Sequence, residues 1–147
     1  MKFKKIVIAL IITTLLYGCN NDNPVSMEDR IIPYTIIQKG HFSVNEDESI
    51  NETYLDYENR SGWSVLVDQM ERVNFEQSEE FRKLNFDFEN KILIIVISET
   101  ENFCCSEIKI NNVYRDEDRI YVKFEVGAPG TEPIRSQSYV LLEVSKD

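Results

Sequence analysis

Histidine is almost missing from this chain: His41 is the only one, and cysteine occurs just three times in 147 residues. A zinc site takes three or four His, Cys or carboxylate ligands at recognisable spacing. A single histidine and the adjacent pair Cys104-Cys105, far downstream, offer no such spacing, so the sequence points to no metal and no cofactor. A Ser- or Cys-based triad would have to use His41, and nothing in the sequence ties it to either cysteine or to a suitable acid. His41 therefore reads as a surface or half-buried hairpin residue, and no catalytic residue is expected. Basic residues are also scarce, with 16 Lys and Arg against 26 Asp and Glu and a net charge of −10. Phosphate binding needs a basic footprint, which argues against a nucleic-acid partner. The acidic stretch Asn45-Glu46-Asp47-Glu48 lacks the D-x-[DN]-x-[DN]-G order of a calcium loop and reads as a solvated turn. No hydrophobic run is long enough for a retained membrane span, which takes about 20 apolar residues. The run Ile6–Tyr17 is shorter, and Cys19-Asn20-Asn21-Asp22-Asn23-Pro24 follows at once.

What is present at the N-terminus is an export signal. Lys2, Lys4 and Lys5 precede the apolar run Ile6–Leu16, and Gly18 is a small residue before a cut. The ending Leu16-Tyr17-Gly18-Cys19 resembles the lipobox of bacterial lipoproteins, with Tyr17 bulkier than the residue usual there. The resemblance implies that residues 1–18 are removed and that Cys19 is diacylated and becomes the new N-terminus. Acyl chains contribute roughly 0.8 kcal/mol per buried CH₂, so two or three of them hold a domain at a membrane. The expected location is the cell envelope, on the outer membrane where the cell has one. Residues 19–30 read as a short polar tether and residues 31–147 as a single domain. Removing residues 1–18 takes away three lysines and no acid, which raises the excess of acids over bases from 10 to 13.

Periodicity then divides the domain. Tyr34–Lys39 is β-branched and aromatic enough for a strand, and Gly40 permits a bend or bulge before His41–Val44. Thr53–Tyr57 reads as a short strand. Asn59 or Ser61 can cap the next helix, in which Trp63, Leu66, Val67 and Met70 share one face. A second helix is expected after Ser78, with Phe81 and Leu84 inward. Ile92–Ile97 is an unbroken apolar run, the pattern of a central strand covered on both faces. Ser106–Tyr114 and Arg119–Val126 alternate around a polar turn, and Gln137–Val144 forms a final strand. The expected class is α+β, an antiparallel β-meander with one main helix, around residues 61–71, packed on it.

The order of segments resembles the C-terminal domain of the PrcB-like protease-complex lipoprotein family. The residues that carry this are Gly40-His41-Phe42-Ser43, Ser61-Gly62-Trp63, Asp87–Ile94 and Gln137–Val144, together spanning about residues 34–146. The resemblance implies a non-catalytic accessory module that binds another envelope protein, a surface protease among the candidates. At one place the chain departs from it. Where the family tends to show a Gly-Gly-Tyr turn, this chain has Phe103-Cys104-Cys105-Ser106, and cysteine lacks glycine's freedom of φ.

Cys104 and Cys105 leave three readings open: two free thiols, a vicinal disulfide that stiffens the loop, or a redox or intermolecular bridge. Adjacent Cα atoms across a trans peptide lie about 3.8 Å apart, below the roughly 4.4–6.8 Å of ordinary disulfides, so free thiols are the first choice. For the domain as a whole, the first reading is a protein-binding or accessory subunit using the loops Asn45–Asn51 and Gly127–Arg135. The second is a small protease-inhibitor or regulator domain that puts the same loops into an active-site cleft.

Overall fold

Two strands of nearly continuous apolar sequence decide the architecture. The computed structural model describes residues 30–44, 48–51 and 53–147. The signal segment, Cys19, nearly all of the tether and residues 45–47 of the acidic loop lie outside the described residues. The elements are β1 (Thr35–Ser43), β2 (Thr53–Tyr57), α1 (Arg60–Val73), α2 (Phe75–Arg82), β3 (Lys91–Ile97), β4 (Ile108–Asp116), β5 (Arg119–Val126) and β6 (Ser136–Ser145).

The fold is α+β, and its main sheet is antiparallel with strand order β1-β6-β3-β2. β3 and β6 are buried along almost their whole length, and each presents apolar side chains to both faces. Such strands need a hydrogen-bonded neighbour on either side and a cover above and below. They pair with each other, Ile94 opposite Leu142 and Val96 opposite Val140, with β1 and β2 as edges. The consecutive meander is therefore not what forms. β4 and β5 each have only one apolar side, so they serve better as a cover than as interior strands. They leave the sheet as a separate two-stranded ribbon.

Three layers result, with a core on each side of the sheet. On one face α1 and α2 bring Trp63, Leu66, Val67, Met70 and Phe81 onto Leu93, Ile95, Ile97 and Leu141. On the other face the ribbon brings Ile108, Ile110, Val113, Ile120 and Val122 onto Ile92, Ile94, Val96, Val140 and Leu142. A register shift in β4 between Ile110 and Asn112 resets the alternation, which is how Val113 comes to face inward after Ile108 and Ile110.

Local signals explain the helix ends. Asn59, not Ser61, caps α1, its side chain accepting from the Gly62 amide at 2.8 Å. The second helix starts earlier than expected, because Asn74 ends α1 and caps α2 by accepting from the Gln77 amide at 2.9 Å. Ser78 is thus inside α2, buried, with its hydroxyl donating to the Phe75 carbonyl at 2.7 Å. The bend or bulge that Gly40 permits is not made there. β1 runs straight through Gly40, and its irregularity falls between Ile36 and Gln38.

Candidate functional site

One end of the sheet carries a polar framework on which the chain's rare residues converge. β6 opens with Ser136-Gln137-Ser138, three polar side chains that are all buried. They hold the segment between β3 and β4 against the sheet. Ser136 and Glu101 exchange two backbone hydrogen bonds of 2.9 Å, and the Ser138 hydroxyl donates to the Ser106 carbonyl at 2.6 Å. The Gln137 amide donates to the carbonyls of Ile50 and Ser98, at 2.5 and 2.8 Å, while its oxygen accepts from the Ile50 amide at 2.9 Å. Ser98 closes the circuit, its hydroxyl accepting from the Ser138 amide at 2.9 Å. No buried side-chain nitrogen or oxygen among the described residues lacks a partner, which is what makes so polar a strand start tolerable.

This framework positions the cysteine pair. Cys104 is buried and Cys105 half-buried; their sulfurs are bonded to each other and the peptide between them is cis. The Cys104 amide donates to the Glu132 carbonyl at 2.9 Å, so the loop from Gly127 to Arg135 is bridged to the cysteine segment. Gly130 makes that approach feasible: a Cβ there would run into the Cys104 carbonyl and lie 3.2 Å from the Cys105 nitrogen. The Arg135 carbonyl accepts from Val44 at 3.0 Å, and Gly127 donates to Glu107 at 2.9 Å, which ties down both ends of the loop.

His41 belongs to the same place, a proximity that nothing in the sequence indicates. It is exposed on β1, opposite Ser138 of β6. Its ring nitrogens and the two cysteine sulfurs include one donor from each residue, all within 4.8 Å of one another. A metal-ligand set that spacing could not suggest is thus assembled by pairing β1 with β6 and pinning the cysteine segment beside it. Two grooves meet here. One is lined by Lys39, His41, Cys105, Glu107 and Tyr139. In it the Lys39 ammonium, 2.7 Å from Glu107, holds that carboxyl below the ordinary range. The other is lined by His41, Asn74, Glu76, Glu80, Cys104 and Glu132, and its three carboxylates give it a negative character.

The loop predicted to make contacts, Gly127–Arg135, borders this site and exposes Ile134. Phe103, just before the cysteines, is also exposed. Of the other predicted loop, Asn45–Asn51, residues 45–47 lie outside the described residues, and Ile50 is buried as a partner of Gln137. Sequence reasoning missed Ser136, Gln137 and Glu132; three polar residues heading an apolar strand were the available signal for the first two.

Comparison with protein-family models, with curated proteins and with solved structures returned no match to this chain.

Proposed function

We propose that this chain is an envelope-anchored lipoprotein whose domain acts as a non-catalytic protein-binding or accessory subunit, with an envelope protease complex as the partner class. The observation that supports it most is the bridged loop pair beside the cysteines. Phe103 and Ile134 stand exposed on two segments that are joined at Cys104 and Glu132 and anchored to the sheet. Apolar side chains presented by loops on a rigid scaffold are the usual material of a recognition surface. The lipobox-like Leu16–Cys19 and the PrcB-like order of motifs supply the anchor and the partner class.

The test is affinity capture of the lipidated chain, after chemical crosslinking in its own membranes, beside the double variant Phe103→Ser, Ile134→Ser. The expected result is an envelope protein that co-purifies at fixed ratio with the wild type and at least about tenfold less with the variant. Equal recovery with both chains would remove the loop pair from the interface. Adding the purified chain to the captured partner, where that partner is a protease, separates accessory from inhibitor: an inhibitor lowers its activity, an accessory subunit does not. Loss of radiolabelled palmitate incorporation in a Cys19→Ser variant, with incorporation in the wild type, is the outcome expected of the anchor.

A further inference from the structure

We propose that His41, Cys104 and Cys105 form a thiol-gated site for one soft or borderline d¹⁰ cation, Cu(I) or Zn(II). The site is closed to the metal while the two sulfurs are bonded to each other and forms when that bond is reduced.

The argument begins with distances. Metal–sulfur bonds of about 2.3 Å and metal–nitrogen bonds of about 2.0–2.1 Å place ligand atoms roughly 3.5–4 Å apart around a common ion. The three donors lie within 4.8 Å of one another. The two sulfurs, bonded to each other, separate to that spacing once the bond is reduced, and the exposed His41 side chain moves to meet them. Their chemistry is selective. Two thiolates and an imidazole suit Cu(I) and Zn(II), whereas magnesium and calcium want oxygen ligands.

The support is already built. Cys104 is held through its amide by Glu132, its carbonyl is packed against Gly130, and Ser106 is fixed by the Ser138 hydroxyl. A preorganised backbone lets the side chains bind without ordering a loop first. Glu76, Glu80 and Glu132 line the groove that His41 and Cys104 share, and their charge favours a cation over an anion. A disulfide sulfur carries no thiolate charge and is a poor ligand, so the oxidation state decides occupancy.

The gating step balances. A dithiol reductant, free or on a thiol–disulfide oxidoreductase, transfers two electrons and two protons to the S–S bond and itself becomes a disulfide. Cys104 and Cys105 become thiols. The cation then displaces both thiol protons and binds the two sulfurs and one nitrogen of His41.

The experiment uses the full chain in detergent, in three forms. One is oxidised, one is reduced with dithiothreitol and desalted without oxygen, and one is the reduced His41→Ala variant. Each is titrated with Cu(I) against bathocuproine disulfonate, and separately with Zn(II) against a chromophoric zinc indicator. The expected result is one equivalent of one of these ions held by the reduced chain and not by the oxidised chain. His41→Ala should weaken it at least about tenfold, the scale on which even outer-shell partners act. Cys19 is common to all three forms, so only binding that is lost both on oxidation and on removal of His41 counts. Because His41 is exposed, the variant keeps its fold, and circular dichroism verifies that. No binding by the reduced chain, equal binding by oxidised and reduced chains, or binding indifferent to His41 would each overturn the proposal.

Discussion

The ring of Tyr139 fills the space above Gly40, its antiparallel partner in β1: a Cβ on Gly40 would sit 3.0 Å from the phenol oxygen and 3.2 Å from Cε1. The ring has little room to give. It is 3% exposed, takes a 2.8 Å hydrogen bond from Gln38 and meets Phe81 edge-on at 5.2 Å. Ordinarily alanine is better than glycine in a strand by roughly 0.5–1 kcal/mol. Here overpacking, at about 1–3 kcal/mol, outweighs that gain. Gly40→Ala is expected to destabilise the domain by about 1 kcal/mol in urea denaturation. The cost should shrink when Tyr139→Phe is added, and strict additivity of the two changes would count against the contact.

Trp63 joins the two helices as well as filling the core. Its indole N–H donates to the Phe81 carbonyl at 3.1 Å, and its ring packs edge-on against Tyr57 at 5.5 Å. Trp63→Ala should cost about 3–5 kcal/mol and leave the domain poorly folded; an unchanged melting temperature would sink this assignment. Trp63→Phe keeps most of the packing and removes one of the hydrogen bonds to the Phe81 carbonyl, which still accepts from the Leu84 amide at 3.2 Å, so a smaller loss of about 1 kcal/mol is expected.

Gln137 is the keystone of the polar framework, fully buried with three hydrogen bonds from its side chain. Replacing it with Leu would strip partners from Ile50 and Ser98 in a dry environment. Each buried group left unpaired costs roughly 1–3 kcal/mol, so the expected loss is at least about 2 kcal/mol. Amide hydrogen exchange gives the local reading: the Ile50 N–H should exchange much faster in Gln137→Leu, and unchanged protection there would refute the role.

Alkali should unfold the domain by way of its tyrosines. Burial, with Asp56 adding to it, pushes the Tyr57 phenol up to about 12 from 10.0. Burial also raises Tyr54 and Tyr139. The unfolded chain releases the Tyr57 proton near pH 10 while the folded chain keeps it. The contribution is therefore complete below pH 10 and is lost as pH rises through about 12. Ultraviolet titration of the phenolates, run beside unfolding at each pH, checks this. Tyr57→Phe should flatten the stability slope above pH 10, and an identical slope in that variant would argue against the assignment.

Much of the fold could be read from local pattern. The helix-face spacing of Trp63, Leu66, Val67 and Met70 needs only the helical period, and their burial follows it. The unbroken run Ile92–Ile97 announced a strand covered on both sides, and β3 is that strand. The pairing was not readable. Whether β4 continues the sheet or leaves it depends on competition among all strands for the flanks of β3, and no local window contains that comparison. The early start of α2 was missed for a smaller reason, since Asn74 has two capping roles and the spacing of apolar residues shows only one helix face at a time.

The same division holds for the site. By itself the sequence determined the element types, the acidic surface charge, the lipobox-like expectation at Cys19 and the rarity of His and Cys, all of which depend on composition or on neighbours in the chain. Only the tertiary structure decided that His41 stands beside Cys104 and Cys105. That proximity comes from long-range hydrogen bonding, β1 to β6 and Glu132 to Cys104, between residues that are far apart in the chain. Chain distance carries no information about such contacts until the apolar strands have chosen their neighbours.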